Sequence, residues 1–237
     1  MDVEQQPRGG HTDTRAVADE ALMQYEAALR INPRHIQTLV NRGNVLRLLQ
    51  RHGEALQSYE RALAIRPGNP EMLSVRGLTL IELGRLNDAL TSFNEAIASR
   101  PDFVEGLYNS AVALGRLGRP EEAIDRCERL LTLEPRHALA MGCRGNALLQ
   151  LKQYDAALSN YAAALEIEPR SIDLLCNQGT ALRYLGRYEQ ALQSYDAALA
   201  INPGFAEAWG NRGNVLLDLH RHREAIEAID RAMALRP

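Results

Sequence analysis

Small and apolar residues recur along this chain at a fixed interval. Alanine stands at Ala21, Ala55, Ala89, Ala123, Ala157, Ala191 and Ala225, each 34 residues after the last. Proline keeps the same interval at Pro33, Pro67, Pro101, Pro135, Pro169, Pro203 and Pro237. Between these markers the apolar positions return every three or four residues, the spacing of one helix face, and no segment alternates with the period of two that a half-buried strand needs. A repeat of this length means stacked supersecondary units, each touching only its neighbours.

Numbering each unit so that proline falls at position 32 gives six full units, 36–69, 70–103, 104–137, 138–171, 172–205 and 206–237. An incomplete unit, 13–35, precedes them and supplies a second helix alone, behind a polar tail at 1–12 expected to be disordered. Position 8 is Gly43, Gly77, Ala111, Gly145, Gly179 and Gly213, and small residues there and at position 20 let two helix backbones approach closely. Position 24 is Tyr25, Tyr59, Phe93, Cys127, Tyr161, Tyr195 and Ile229, a large side chain in most units that fills the gap beside them. Near position 15 the pattern loosens into RHG, LGR or LHR, where glycine ends one helix. Asn69-Pro70-Glu71 and Asp102 with Glu105 read as caps for the helices that follow. Each unit is therefore helix, tight turn, helix, and the chain is all-α with thirteen helices expected.

These positions resemble the tetratricopeptide repeat, with its small residue at 8, alanine at 20, aromatic at 24, alanine at 27 and proline at 32. The likeness covers about 16–237. It implies a right-handed superhelical solenoid whose concave groove is lined by the first helices. Position 4 keeps the family's tryptophan only at Trp209, and position 7, often leucine in the family, is Arg42, Arg76, Arg144 and Arg212. The unit 104–137 departs most, combining Ala111, Cys127 and Leu130.

Composition narrows the function. The chain is 46% hydrophobic but 5% aromatic, which suits alanine- and leucine-rich helices and not a β-sandwich. A net charge of −3 gives no global basic field to recruit nucleic acid or an anionic membrane. No 18-residue apolar stretch and no signal-peptide core occur, so a cytoplasmic location is expected. No P-loop, GxGxxG, HExxH or GxSxG is present, so no enzyme activity, cofactor or metal is expected within this chain. Cys127, Cys143 and Cys176 are too few for a disulfide framework; Cys143 and Cys176 occupy groove positions in adjacent units and could be neighbours.

The asparagines carry the binding expectation. Positions 2, 5, 6, 9, 12 and 13 lie opposite the packing stripe of the first helix. Position 6 holds Asn41, Asn109, Asn177 and Asn211, and position 9 holds Asn44, Asn146 and Asn214. With 13 asparagines in 237 residues, composition alone would place about 0.7 at these twelve positions, and seven are there. Asparagine is a poor helix residue, but its carboxamide both donates and accepts, as a peptide bond does. The row resembles the asparagine ladder of O-GlcNAc transferase repeats, which implies a grip on an extended segment of a partner protein through its backbone. Alternatively the asparagines bridge neighbouring first helices. Arg47, Arg116 and Arg183 fall on the same stripe and would make one groove edge basic, while Glu71, Glu105, Asp173 and Glu207 at position 2 make the other acidic and disfavour an acidic tail as ligand.

Two functional readings follow: a non-catalytic interaction scaffold, or the substrate-docking region of a larger O-GlcNAc-transferase-like glycosyltransferase. Ile226, Ile229, Met233 and Leu235 have no following unit in this sequence to cover them. That face is expected either to continue into further chain or to self-associate.

Overall fold

The computed structural model describes residues 10–235, with side chains from Arg15 onward. Thirteen helices, and no strand, occur among the described residues. They are α1 (Gly10–Ile31), α2 (Ile36–Leu48), α3 (His52–Ile65), α4 (Pro70–Glu82), α5 (Leu86–Ser99), α6 (Val104–Arg116), α7 (Pro120–Leu133), α8 (Ala138–Gln150), α9 (Tyr154–Ile167), α10 (Ile172–Tyr184), α11 (Tyr188–Ile201), α12 (Ala206–Asp218) and α13 (His222–Leu235). Even-numbered helices are the first of each pair. Helix α1 begins inside the segment expected as a polar tail, and the rest of that segment, 1–9, lies outside the described residues.

The chain divides into two compact units, one up to Ala113 and one from Leu114, a boundary that falls within α6. In the first, α1 to α5 pack each on the next; in the second, α7 to α13 do the same. The alanines at position 20 explain how close that packing is. Ala55, Ala89, Ala157, Ala191 and Ala225 are all fully buried, so any larger side chain would push a helix pair apart. Beside each of the first four lies the ring at position 24: Tyr59 and Phe93 in the first unit, Tyr161 and Tyr195 in the second, none more than 1% exposed. The rings lie directly on the glycines of position 8. A Cβ built at Gly43 would stand 2.5 Å from Tyr59 Cε1, and one at Gly145 would stand 2.5 Å from Tyr161 Cε1. Glycine at position 8 is thus a seat for a ring.

Every first helix ends at position 15 in the left-handed region, with φ between 57° and 73°. Three of these residues are Gly84, Gly118 and Gly186; the others are Gln50, Lys152 and His220. Gly53, the glycine the sequence offered in the first of these turns, lies inside α3 instead. The turn survives without glycine because paired backbone bonds close it. In the first full unit Arg51 N–H donates to Leu46 O at 2.8 Å and Gln50 N–H to Arg47 O at 2.9 Å. Asn69 caps α4 by accepting from Met72 N–H at 2.8 Å, with Pro70 at the first helical position. Glu105, read in the sequence with Asp102 as a cap signal for α6, accepts from the Ser74 hydroxyl at 2.7 Å.

Candidate functional site

Position 9 is where the structure departs most from a simple groove row. The buried phenol of Tyr59 donates to Asn44 Oδ1 at 2.7 Å, and that of Tyr161 to Asn146 Oδ1 at 2.8 Å. Tyr195 and Thr180 share a hydroxyl pair at 3.0 Å. Where position 24 is Phe93, position 9 is the apolar Leu78. A buried hydroxyl needs a partner, and position 9 supplies it in each unit where a buried hydroxyl exists. Burial pushes the phenols of Tyr59 and Tyr195 up to about 12, and that of Tyr161 in the same direction. Asn214 is the exception, because Ile229 offers no hydroxyl. Asn146→Ala, which orphans the Tyr161 hydroxyl, should cost about 1–3 kcal/mol in a denaturant titration, while Asn214→Ala should cost almost nothing.

The position-6 asparagines divide. Asn41 accepts from Gln37 Nε2 at 2.9 Å on its own helix. Asn109 is buried and donates to Ser74 Oγ at 3.4 Å, and Asn177 donates to Asn146 Oδ1 at 3.0 Å. These last two bridge a first helix to the one before it, the alternative role the sequence left open. Asn211, half-buried on α12, makes no hydrogen bond among the described residues; it shares a shallow depression with Glu207, Gly210, Asn214, Ile229 and Met233.

The basic edge is largely neutralised. Arg47 donates to Glu82 at 3.4 Å, and Arg183 to Asp218 at 2.6 Å. Each pairs an arginine at position 12 with an acid at position 13 of the next unit, and Arg116 is exposed. Such partly exposed pairs contribute little to stability, but they remove the free cations expected at that edge.

The residues that sequence reasoning missed are the arginines of position 7. Arg42 donates to Ser58 Oγ, Arg144 to Asn160 Oδ1 and Arg212 to Asp196 Oδ1, all at 2.7 Å. They clip α2, α8 and α12 to a second helix, their own or the preceding one. The recurrent hexapeptide NRGNVL, at 41–46 and 211–216, is now legible residue by residue. Its first asparagine lies on the exposed stripe, its arginine is a clip and its glycine seats the side chain of position 24. In the first copy its second asparagine takes the phenol.

The thiol partner of Cys143 is Cys127, not Cys176. The hydrogen bond between the two, with burial, raises the Cys127 thiol above its usual range, and burial pushes Cys176 up to about 12. Among the described residues no group of three or more histidine, cysteine or acidic side chains could hold a metal ion. No described helix is long and apolar enough to cross a membrane.

Comparison with known proteins agrees with this architecture. The chain matches the tetratricopeptide repeat at residues 75–133, 108–172 and 176–237, and in a second form at 35–102. No curated protein sequence matches it significantly. Among solved structures it is similar to a tetratricopeptide repeat protein from Parabacteroides merdae, at 20% identity and TM-score 0.80, over 94% of this chain and 88% of that one. YrrB, described as a tetratricopeptide repeat protein with an unusual peptide-binding site, is 24% identical with TM-score 0.61, over 78% of this chain and 95% of its own. A thermophilic tetratricopeptide repeat protein of Thermus thermophilus is 27% identical with TM-score 0.63, over 77% of this chain and 99% of its own. The repeat matches span well over half of the residues, and this chain belongs to the tetratricopeptide repeat family, whose helical fold serves protein–protein interaction.

Proposed function

We propose that the chain is a non-catalytic interaction scaffold that holds an extended segment of a partner protein along the exposed stripe of its first helices. One observation carries this reading. In the second compact unit Asn146, Asn177 and Asn211 stand on the successive first helices α8, α10 and α12. Asn146 and Asn177 are joined amide to amide, which, among the described residues, leaves the amide NH2 of Asn146, the carbonyl of Asn177 and both ends of Asn211 without a hydrogen-bond partner. An extended peptide offers alternating N–H and C=O groups that such carboxamides satisfy. Asn41 and Asn44 on α2, flanked by Arg47, present the same chemistry in the first unit. Exposed Glu207 beside Asn211 disfavours an acidic segment.

The narrower likeness to O-GlcNAc transferase repeats rests on position 6 alone, and Asn109 and Asn177 there are engaged by neighbouring first helices. The docking role in a larger glycosyltransferase therefore has weaker support than the scaffold. A tiled library of partner-protein peptides should yield ligands whose affinity falls when alternate backbone nitrogens are methylated. Each lost backbone bond should cost about 0.5–1.5 kcal/mol by calorimetry. Ligands indifferent to N-methylation would contradict backbone recognition.

A further inference from the structure

Two breaks in the repeat pattern meet at one junction. Position 24 holds the buried rings of Tyr59, Phe93, Tyr161 and Tyr195, but on α7 it is Cys127. Position 6 is mostly asparagine, but on α8 it is Cys143. The chain has 3 cysteines in 237 residues, and two of them stand on consecutive helices that pack on each other. The two thiols are neighbours, and their surroundings differ. Cys127 is 1% exposed, whereas Cys143 is half-buried on the exposed stripe of the first helices. The Cys127 S–H donates to the Cys143 sulfur, which draws the Cys143 thiol below its usual range against the opposing effect of burial. The same bond, with burial, keeps the proton on Cys127. Thiolate is the nucleophilic form of cysteine, so the more accessible sulfur is also the readier nucleophile. Cys176 lacks this arrangement: burial, with the acids Glu207 and Asp173 nearby, holds its thiol up at about 12.

We propose that Cys143 and Cys127 are a peroxide-reactive pair that closes reversibly into a disulfide joining α7 to α8. The Cys143 thiolate attacks one oxygen of a hydroperoxide, and the S–O bond forms as the O–O bond breaks. The other oxygen leaves with the electron pair and takes a proton, departing as water or an alcohol. Cys143 is then a sulfenic acid. Cys127 gives up its proton and attacks that sulfur, and the hydroxyl leaves with the proton as water. With hydrogen peroxide, two thiols and one peroxide give one disulfide and two waters. A hydroperoxide suits the site because a small oxidant reaches a half-buried sulfur that a bulky disulfide would not. The pair does not depend on the peptide reading, and its test needs no partner.

The test treats the reduced full chain with a small excess of hydrogen peroxide and counts free thiols after unfolding. The count should fall from three to one, and peptide mass spectrometry should find Cys127 linked to Cys143 within one chain. Dithiothreitol should restore all three. Cys176 should react about tenfold or more slowly than Cys143. In Cys127→Ala the sulfenic acid should persist on Cys143 and take up dimedone, because no second thiol resolves it. In Cys143→Ala the Cys127 thiol should survive the same treatment, and Cys176→Ala should leave the link unchanged. Circular dichroism confirms that each variant folds, and the wild-type count stands without any variant. Three thiols surviving peroxide, a link through Cys176 or between two chains, or dimedone on Cys127 in place of Cys143 would overturn the proposal.

Discussion

Tyr161→Ala should destabilise the second compact unit by about 3–5 kcal/mol, the cost of emptying a large buried aromatic site. The ring is fully buried and lies against the backbone at Gly145. Two rigid helices, α8 and α9, enclose the space it leaves. Collapse would require them to move together past small residues that already pack closely, so most of the cavity should persist. Tyr161→Phe keeps the ring and loses only the hydroxyl bond to Asn146, so its cost should be near 1 kcal/mol, about the worth of one hydrogen bond. Urea unfolding of the three proteins, followed by circular dichroism, gives both numbers. A loss for the alanine variant no larger than for the phenylalanine variant would show that position 24 does not organise the pair.

Raising the pH should destabilise the protein steeply between about 10 and 12, through the same residues. An ordinary tyrosine ionises near 10, by the usual reference scale. Burial holds Tyr59 and Tyr195 up to about 12, with Tyr161 shifted the same way. The folded state thus keeps protons that the unfolded chain releases. The stabilisation is complete below about pH 10 and is lost as pH climbs through the folded values, at about 1.4 kcal/mol per pH unit for each tyrosine. Thermal melting should shift downward over that window. Of the eight tyrosines, these three should gain tyrosinate absorbance only as the helices unfold. Tyr195→Phe should flatten the alkaline limb while leaving the neutral-pH behaviour of other sites intact. A melting temperature constant from about pH 9 to 12 would contradict the burial of the phenols.

The fold was written plainly in the chain because its determinants are local or periodic. A small residue at 20, a large one at 24 and proline at 32 each state a packing rule in unit after unit, and errors in one unit are corrected by the others. The candidate site was less legible. Asn44 and Asn146 look like surface residues when each helix is read around its own axis, yet their partners Tyr59 and Tyr161 lie 15 residues away on another helix. Arg47 and Arg183 are likewise answered by Glu82 and Asp218 at a separation of 35, which only the assembled stack brings near. The position-7 arginines were visible as a departure from leucine, but their role needed the acids sixteen residues earlier to be read with them. Gln50, Lys152 and His220 hid their left-handed turns because the surrounding helices, not glycine, impose that conformation.

The claim that the first-helix asparagines serve a partner's backbone is tested most directly by calorimetric titration of one library-selected peptide. It should be run against the full chain and its Asn177→Ala/Asn211→Ala variant, with the melting temperature of each protein measured alongside. Asn211 has no partner among the described residues and Asn177 holds only the exposed amide of Asn146, so the variant should melt close to the wild type. Its affinity should fall by about 1–3 kcal/mol, the sum of two neutral hydrogen bonds. Equal affinities, or a variant that melts far earlier than the wild type, would assign the asparagine row to holding the helices together.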